Sequence, residues 1–144
     1  MVRHVTHSAL DTQALAIEFG RALSPNSVVC FFGELGAGKT TFIKGLAEGL
    51  SAGLETQVSS PTFTYLNIYR GVSTLYHFDL YRLRDADEFL GMGFDEMFYA
   101  EGICCIEWSE KIASLLPPGT ICVRMAHLDE SSRQIDITLA ENNG

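Results

Sequence analysis

The most specific chemistry in the chain sits in one short run, Gly33-Glu34-Leu35-Gly36-Ala37-Gly38-Lys39-Thr40. The pattern Gly-x-x-x-x-Gly-Lys-Thr is that of a P-loop, which requires an apolar strand before it and a helix after it. Both flanks are legible: residues 28–32 are continuously apolar, and residues 39–50 place Phe42, Ile43, Leu46 and Leu50 at helical spacing. Glycines permit the backbone angles that turn successive N–H groups toward one anion, and the helix N-terminus adds its dipole. Lys39 then reaches the β and γ phosphates of a nucleoside triphosphate, and the Thr40 hydroxyl ligates Mg²⁺. The expected nucleotide-binding set is Glu34, Leu35, Gly36, Ala37, Gly38, Lys39, Thr40 and Thr41. At average composition such a pattern arises by chance in about one sequence of this length in a few hundred.

A P-loop needs a second acidic group to complete the coordination of its metal, normally at the end of a neighbouring buried strand. Glu107 follows the apolar run Ile103-Cys104-Cys105-Ile106 and meets that description. Its alternative is an exposed carboxylate at a strand end. Asp79 closes the strand Leu75-Tyr76-His77-Phe78 and is placed to approach the same metal or to orient an attacking water. Taken alone, it is equally compatible with a surface aspartate. His77 alternates with Phe78 along that strand and reads from spacing as a packed core histidine rather than a ligand. Ser60-Pro61-Thr62 falls where nucleotide switches place a γ-phosphate sensor, and as sequence it also suits a capped turn.

Two other uses of a P-loop can be weighed against residues. A guanine-reading Asn-Lys-x-Asp tetrapeptide is missing, since none of Lys39, Lys44 and Lys111 has Asp two positions later. A small-molecule kinase needs an acceptor pocket and an arginine-bearing lid, and Arg82 and Arg84 are the one obvious basic pair beyond the cradle.

The elements that must position these residues follow from patterning. A chain of 144 residues, 47% hydrophobic and 19% charged, is expected to form one domain over 1–144 with a single substantial core. Residues 3–6 suit an edge strand. Ser8 or Asp11 can cap a helix whose apolar stripe is Leu15, Phe19, Ala22 and Leu23, stopped by Ser24-Pro25-Asn26. The polar segment 56–64, broken by Pro61, reads as an ordered loop, and 65–69 with 74–78 form a hairpin across Arg70-Gly71. Asp85-Ala86-Asp87-Glu88 opens a short helix interrupted by Gly91 and Gly93, and residues 110–116 are helical until Pro117-Pro118. Residues 120–125 and 134–139 alternate as an antiparallel hairpin about Asp129-Glu130-Ser131. The expected architecture is α/β: a P-loop NTPase-type mixed sheet, parallel in the centre with antiparallel edge strands, flanked by helices.

Composition bounds the partners and the compartment. A net charge of −8 repels a phosphate backbone unless the basic residues cluster, so unaided nucleic-acid binding is disfavoured. Residues 1–8 carry Arg3, His4 and His7 and lack the apolar core of a secretory signal, and no apolar run is long enough to cross a bilayer. A cytoplasmic address is expected. Cys30, Cys104, Cys105 and Cys122 lie in apolar runs without ligand spacing, which suits reduced buried thiols in a reducing compartment.

Four ordered blocks give the chain a resemblance to the TsaE family of small bacterial ATPases, required for threonylcarbamoyladenosine modification of tRNA. They are Gly33 to Thr41, Ser60-Pro61-Thr62-Phe63-Thr64, His77-Phe78-Asp79-Leu80-Tyr81-Arg82-Leu83, and Ile106-Glu107-Trp108. The resemblance spans nearly the full chain and implies an ATPase with weak activity alone, acting with partner subunits TsaD and TsaB that handle the tRNA. By this likeness Lys39, Asp79 and Glu107 are the catalytic set, with Thr40 and Glu107 as Mg²⁺ ligands and Asp79 assisting metal binding or hydrolysis. Ser60, Thr62 and Thr64 fall in a switch-like loop, and Trp108 lies near the nucleotide or the partner surface. The resemblance also implies that the base sits between the start of the first helix, near Leu10 and Asp11, and the C-terminal hairpin, where Arg133 is the matching basic residue. The family's common Asp after the first P-loop glycine is Glu34 here. A nucleotide-gated binding module, in which occupancy alone sets partner affinity, is the alternative.

Overall fold

Apolar runs, continuous in the central strands β2 and β5 and alternating in the C-terminal pair, supply a sheet whose strands, in chain order, are β1 (Val2–Thr6), β2 (Val28–Phe32), β3 (Leu66–Tyr69), β4 (Leu75–Asp79), β5 (Ile103–Glu107), β6 (Ile121–His127) and β7 (Arg133–Leu139). The computed structural model describes residues 1–34, 36–52 and 65–139. Leu35 and the segment holding Ser60, Thr62 and Thr64 therefore lie outside the described residues. Among those described, the sheet has seven strands in the order β1-β7-β6-β2-β5-β4-β3. The four central strands β6, β2, β5 and β4 are mutually parallel; β7 pairs antiparallel with β6, β3 antiparallel with β4, and β1 antiparallel with β7 at the outer edge. This is the mixed α/β architecture that the sequence predicts.

Strand alternation splits the core into two layers. Val29, Phe31, Leu75, Cys105 and Val123 face the helices α1 (Ala9–Arg21) and α2 (Lys39–Gly49), where they meet Ala16, Phe42, Ile43 and Leu46. Val28, Cys30, Tyr76, Phe78, Cys104 and Ile106 face the other way, onto Phe89 of α3 (Ala86–Gly91), Phe98 of the 3₁₀ helix Phe94–Tyr99, and Ile112 of the 3₁₀ helix Ser109–Leu115. Phe42 is fully buried, with its ring 5.6 Å from Phe31 and 5.5 Å from Phe19 in edge-on arrangements.

Helix ends follow the sequence cues. Ser8 caps α1 by accepting from Asp11 N at 3.0 Å, and the Asp11 carboxylate accepts from His7 N, so the two candidate capping residues act together. Asp85 caps α3 through Glu88 N at 2.9 Å. Helix α1 ends at Arg21, so Ala22 is an exposed C-cap rather than part of the apolar stripe. A feature not read from the sequence is the close approach of α1 to α2. A Cβ on Gly45 would sit 2.7 Å from Ala16 Cβ, and one on Gly49 would sit 2.3 Å from Ile17 O. The glycines let the two backbones approach more closely than any larger residue allows.

The fully buried runs of β2, β4 and β5 bring their C-terminal ends to one edge of the sheet. In an open parallel sheet this edge is where ligands bind.

Candidate functional site

The chain leaves β2 at Phe32 and turns through Gly33, Gly36 and Gly38, with φ of 153°, 83° and 99°, before α2 begins at Lys39. These angles belong to glycine. At Gly33 a Cβ would also lie 2.6 Å from Met125 O, because the loop is pressed against β6. Gly38 is the N-cap of α2 and offers no side-chain cap, so the first-turn N–H groups of α2 are left to a ligand. Ala37 N donates to Glu34 O at 3.0 Å and closes the turn, with the Glu34 side chain exposed. Thr40 and Thr41 follow in the first turn of α2, at the exposed end of the helix.

Lys39 folds back over this corner. Its Nζ donates to Gly33 O at 2.8 Å and lies 3.9 Å from Glu107 Oε1. Register explains the meeting: Glu107 at the end of β5 is opposite Phe31 of β2 on one side and Asp79 of β4 on the other. Alternation puts Asp79 and Glu107 on the sheet face that α2 covers. Glu107 is buried, and its Oε2 lies 3.0 Å from Nε2 of the buried His77. Asp79 is half-buried and accepts from Tyr81 N at 3.1 Å. Burial raises its carboxyl above the usual carboxylate range, and the facing charge of Glu107 pushes the same way against the opposing Tyr81 N–H.

The structure thus brings Lys39, Asp79 and Glu107 together beside the loop, as the sequence expects. His77 is packed, also as expected, but it touches Glu107 as well. The sequence carried a signal for that contact, since His77 is two residues before Asp79 on the same strand face.

Trp108 follows Glu107 directly and takes a left-handed backbone, φ 62° and ψ 42°, an uncommon conformation for a bulky residue. Its half-exposed ring lies 5.0 Å from that of Tyr81. Lys111 Nζ donates to Tyr81 O and Leu83 O, and Leu80 N donates to Glu107 O at 3.1 Å. These bonds fasten the segment after β4 to the segment after β5. Arg84, one of the basic pair noted in the sequence, is exposed and paired with Asp85 at 3.3 Å.

On the other side of the loop a cleft of about 200 Å³ opens between the start of α1 (Ser8, Ala9, Thr12), the start of α2 (Gly38, Thr41), the β6–β7 turn (Glu130, Ser131) and Arg133. Leu10 and Asp11 are exposed beside it, so Ser8, Ala9 and Thr12 supply its wall instead. Arg133 Nη1 donates to Asp129 O at 3.0 Å and Ser132 O at 2.9 Å, and Nη2 donates to Gly36 O at 3.5 Å. It links the hairpin turn to the loop.

The sequence model of a family described as threonylcarbamoyl adenosine biosynthesis protein TsaE matches residues 6–135. The chain belongs to the TsaE family. Relatives of this TsaE-family chain include the tRNA threonylcarbamoyladenosine biosynthesis protein TsaE of Treponema pallidum (strain Nichols). It is 44% identical over 136 residues, covering 94% of this chain and 99% of that protein. The protein of the same description from Bacillus subtilis (strain 168) is 41% identical over 133 residues, covering 92% and 82%. The crystal structure of Bacillus subtilis YdiB matches the fold with a TM-score of 0.78 at 33% identity, over 98% of this chain and 86% of that one. The family places the chain in tRNA threonylcarbamoyladenosine biosynthesis. No helix among the described residues is long and apolar enough to cross a membrane.

Proposed function

We propose that this TsaE-family chain is a Mg²⁺-dependent ATPase subunit that supports threonylcarbamoyladenosine modification of tRNA by a partner complex in the cytoplasm. One observation carries the reading: Asp79 and Glu107 end neighbouring strands in register, and the Lys39 ammonium lies 3.9 Å from Glu107 at the glycine-rich corner. Lys39 has the position to neutralise the β and γ phosphates once its bond to Gly33 O is exchanged for theirs. The cleft at Arg133 is contiguous with the loop through Gly38 and Thr41, which suits it to the nucleoside.

The donor set fits Mg²⁺, which prefers oxygen, takes one or two carboxylates and keeps water and phosphate oxygens for its remaining positions. Thr40 and Glu107 would hold it, with Asp79 beside them. The charge of Glu107 opposes ionisation of Asp79 beside it, an arrangement that a dication relieves. The ion supplies charge neutralisation at the phosphates. The chain's own residues do the rest: loop amides and Lys39 orient the phosphates, and Asp79 positions the attacking water.

TsaD and TsaB are the partners that the family resemblance implies, and the tRNA is handled through them. The charge of −8 supports that division. The test is to measure ATP hydrolysis with and without TsaB, TsaD and tRNA. Stimulation by the complex supports the reading, and an absence of hydrolysis under every combination ends it. The nucleotide-gated reading has one observation of its own: Asp79 and Glu107 connect directly to the exposed Tyr81–Trp108 pair, a route from the site to the surface. Asp79→Ala separates the two. If it binds ATP without turnover and still sustains repeated rounds of modification, hydrolysis is incidental.

A further inference from the structure

His77 is fully buried, yet its ring is polar and packing alone does not explain it. Nε2 meets Glu107 Oε2 at 3.0 Å, while Nδ1 has no hydrogen-bond partner among the described residues. A buried ring nitrogen has to be satisfied or tolerated, a burden that a leucine or phenylalanine in the same space would not carry. A carboxylate oxygen accepts, so in this pair Nε2 is the donor to Glu107.

The bond runs diagonally across the sheet. Register pairs Glu107 with Asp79 and pairs His77 with Cys105, so His77 reaches the glutamate from one position back along β4 on the same face. It comes from the core side. The two oxygens of Glu107 are thereby divided, with Oε2 engaged by His77 and Oε1 turned to Lys39 and the loop. The terminal torsion of a glutamate is broad and roughly two-fold, so nothing intrinsic to Glu107 fixes which way its oxygens face.

We propose that His77 is a positioning residue for Glu107: by donating from Nε2 it holds Oε2 inward and presents Oε1 to the Mg²⁺ of the bound nucleotide. The proposal rests on the reading of Glu107 as a metal ligand. Hydrogen bonds to a ligating carboxylate orient it, and their loss typically costs about 10–100-fold in metal affinity or activity.

The experiment compares the affinity for ATP in EDTA and across a Mg²⁺ titration, by calorimetry, for the wild type, His77→Leu, His77→Gln and Glu107→Gln. In His77→Leu the affinity in EDTA stays at the wild-type value, while the Mg²⁺ midpoint rises about 10–100-fold. His77→Gln, whose amide reaches as far as Nε2, recovers most of the loss. In the Glu107→Gln background His77→Leu adds nothing further, because the two side chains act as one unit. An unchanged midpoint in a folded His77→Leu protein overturns the proposal, as does an equal defect in His77→Gln. Should His77→Leu fail to fold, His77→Asn, whose donor stops short of Oε2, carries the same comparison and the same outcomes. A Glu107→Gln midpoint equal to wild type would instead remove the metal-ligand reading itself.

Discussion

Lys39 and Glu107, far apart in the chain, approach to 3.9 Å between Nζ and Oε1, with both side chains largely shielded from solvent. The pair ties the start of α2 to the end of β5, so one contact joins the phosphate loop to the acid at the strand end. Removing one member of a shielded pair leaves the other charge uncompensated.

Lys39→Ala is therefore expected to weaken ATP binding by about 10–100-fold, the worth of a charged hydrogen bond to phosphate. Calorimetry with ATP checks this, and unchanged affinity would contradict the assignment of the cradle.

Gly33→Ala tests the loop geometry. A side chain there meets Met125 O at 2.6 Å on a backbone of φ 153°. The expected cost is about 1–3 kcal/mol of stability, with ATP affinity falling as well because the amides are turned away. Urea unfolding gives the first quantity and calorimetry the second.

The raised carboxyl of Asp79 gives a pH-dependent prediction. Its folded-state pKa lies above the ordinary aspartate value of 3.8, so the protonated form favours the folded chain and ionisation works against it. Stability from this group is present below pH 3.8 and is lost as pH rises through the folded value. Asp79→Asn keeps an acceptor for Tyr81 N and removes the penalty. The nucleotide-free variant should melt higher than wild type at neutral pH, and the difference should shrink as the pH approaches 3.8. A variant that melts lower at pH 7 would show that the carboxylate contributes a stabilising contact.

Thiol reactivity follows burial. Burial pushes Cys30 and Cys104 up to about 12, and Cys105 well above its usual range, while Cys122 is partly exposed and less raised. In the native protein at pH 8 a thiol reagent should modify Cys122 first and leave the other three untouched, with all four reacting after denaturation. Rapid native labelling of Cys105 would contradict the core packing.

Trp108 is the sole tryptophan, adjoins Glu107 and is half-exposed against Tyr81, so its emission is a natural reporter of the site. Adding ATP and Mg²⁺ should change its fluorescence in wild type but not in Lys39→Ala at the same concentrations. A signal of equal size in both proteins would detach the tryptophan from the nucleotide.

The loop was legible because its requirements are local. Glycine angles, the helix start and the lysine that folds back all fall within a few residues of one another, and Ser8 and Asp85 announce their helices in the same way. Other features were hidden by distance. Ala22 fits a helical stripe by spacing, but the helix stops one residue earlier. The 3₁₀ helix Phe94–Tyr99 has no local signature, because its packing partners, Phe78 and Phe89, come from other elements.

The sequence by itself determined the phosphate cradle, the buried strands, the helix caps and the two acids that close β4 and β5. Tertiary structure alone decided that β5 lies between β2 and β4 in a register that sets Phe31, Glu107 and Asp79 side by side, and that His77 holds the second oxygen of Glu107. Periodicity states which face a residue occupies but not which strand is its neighbour. That neighbour is chosen by how the whole sheet buries its two apolar layers.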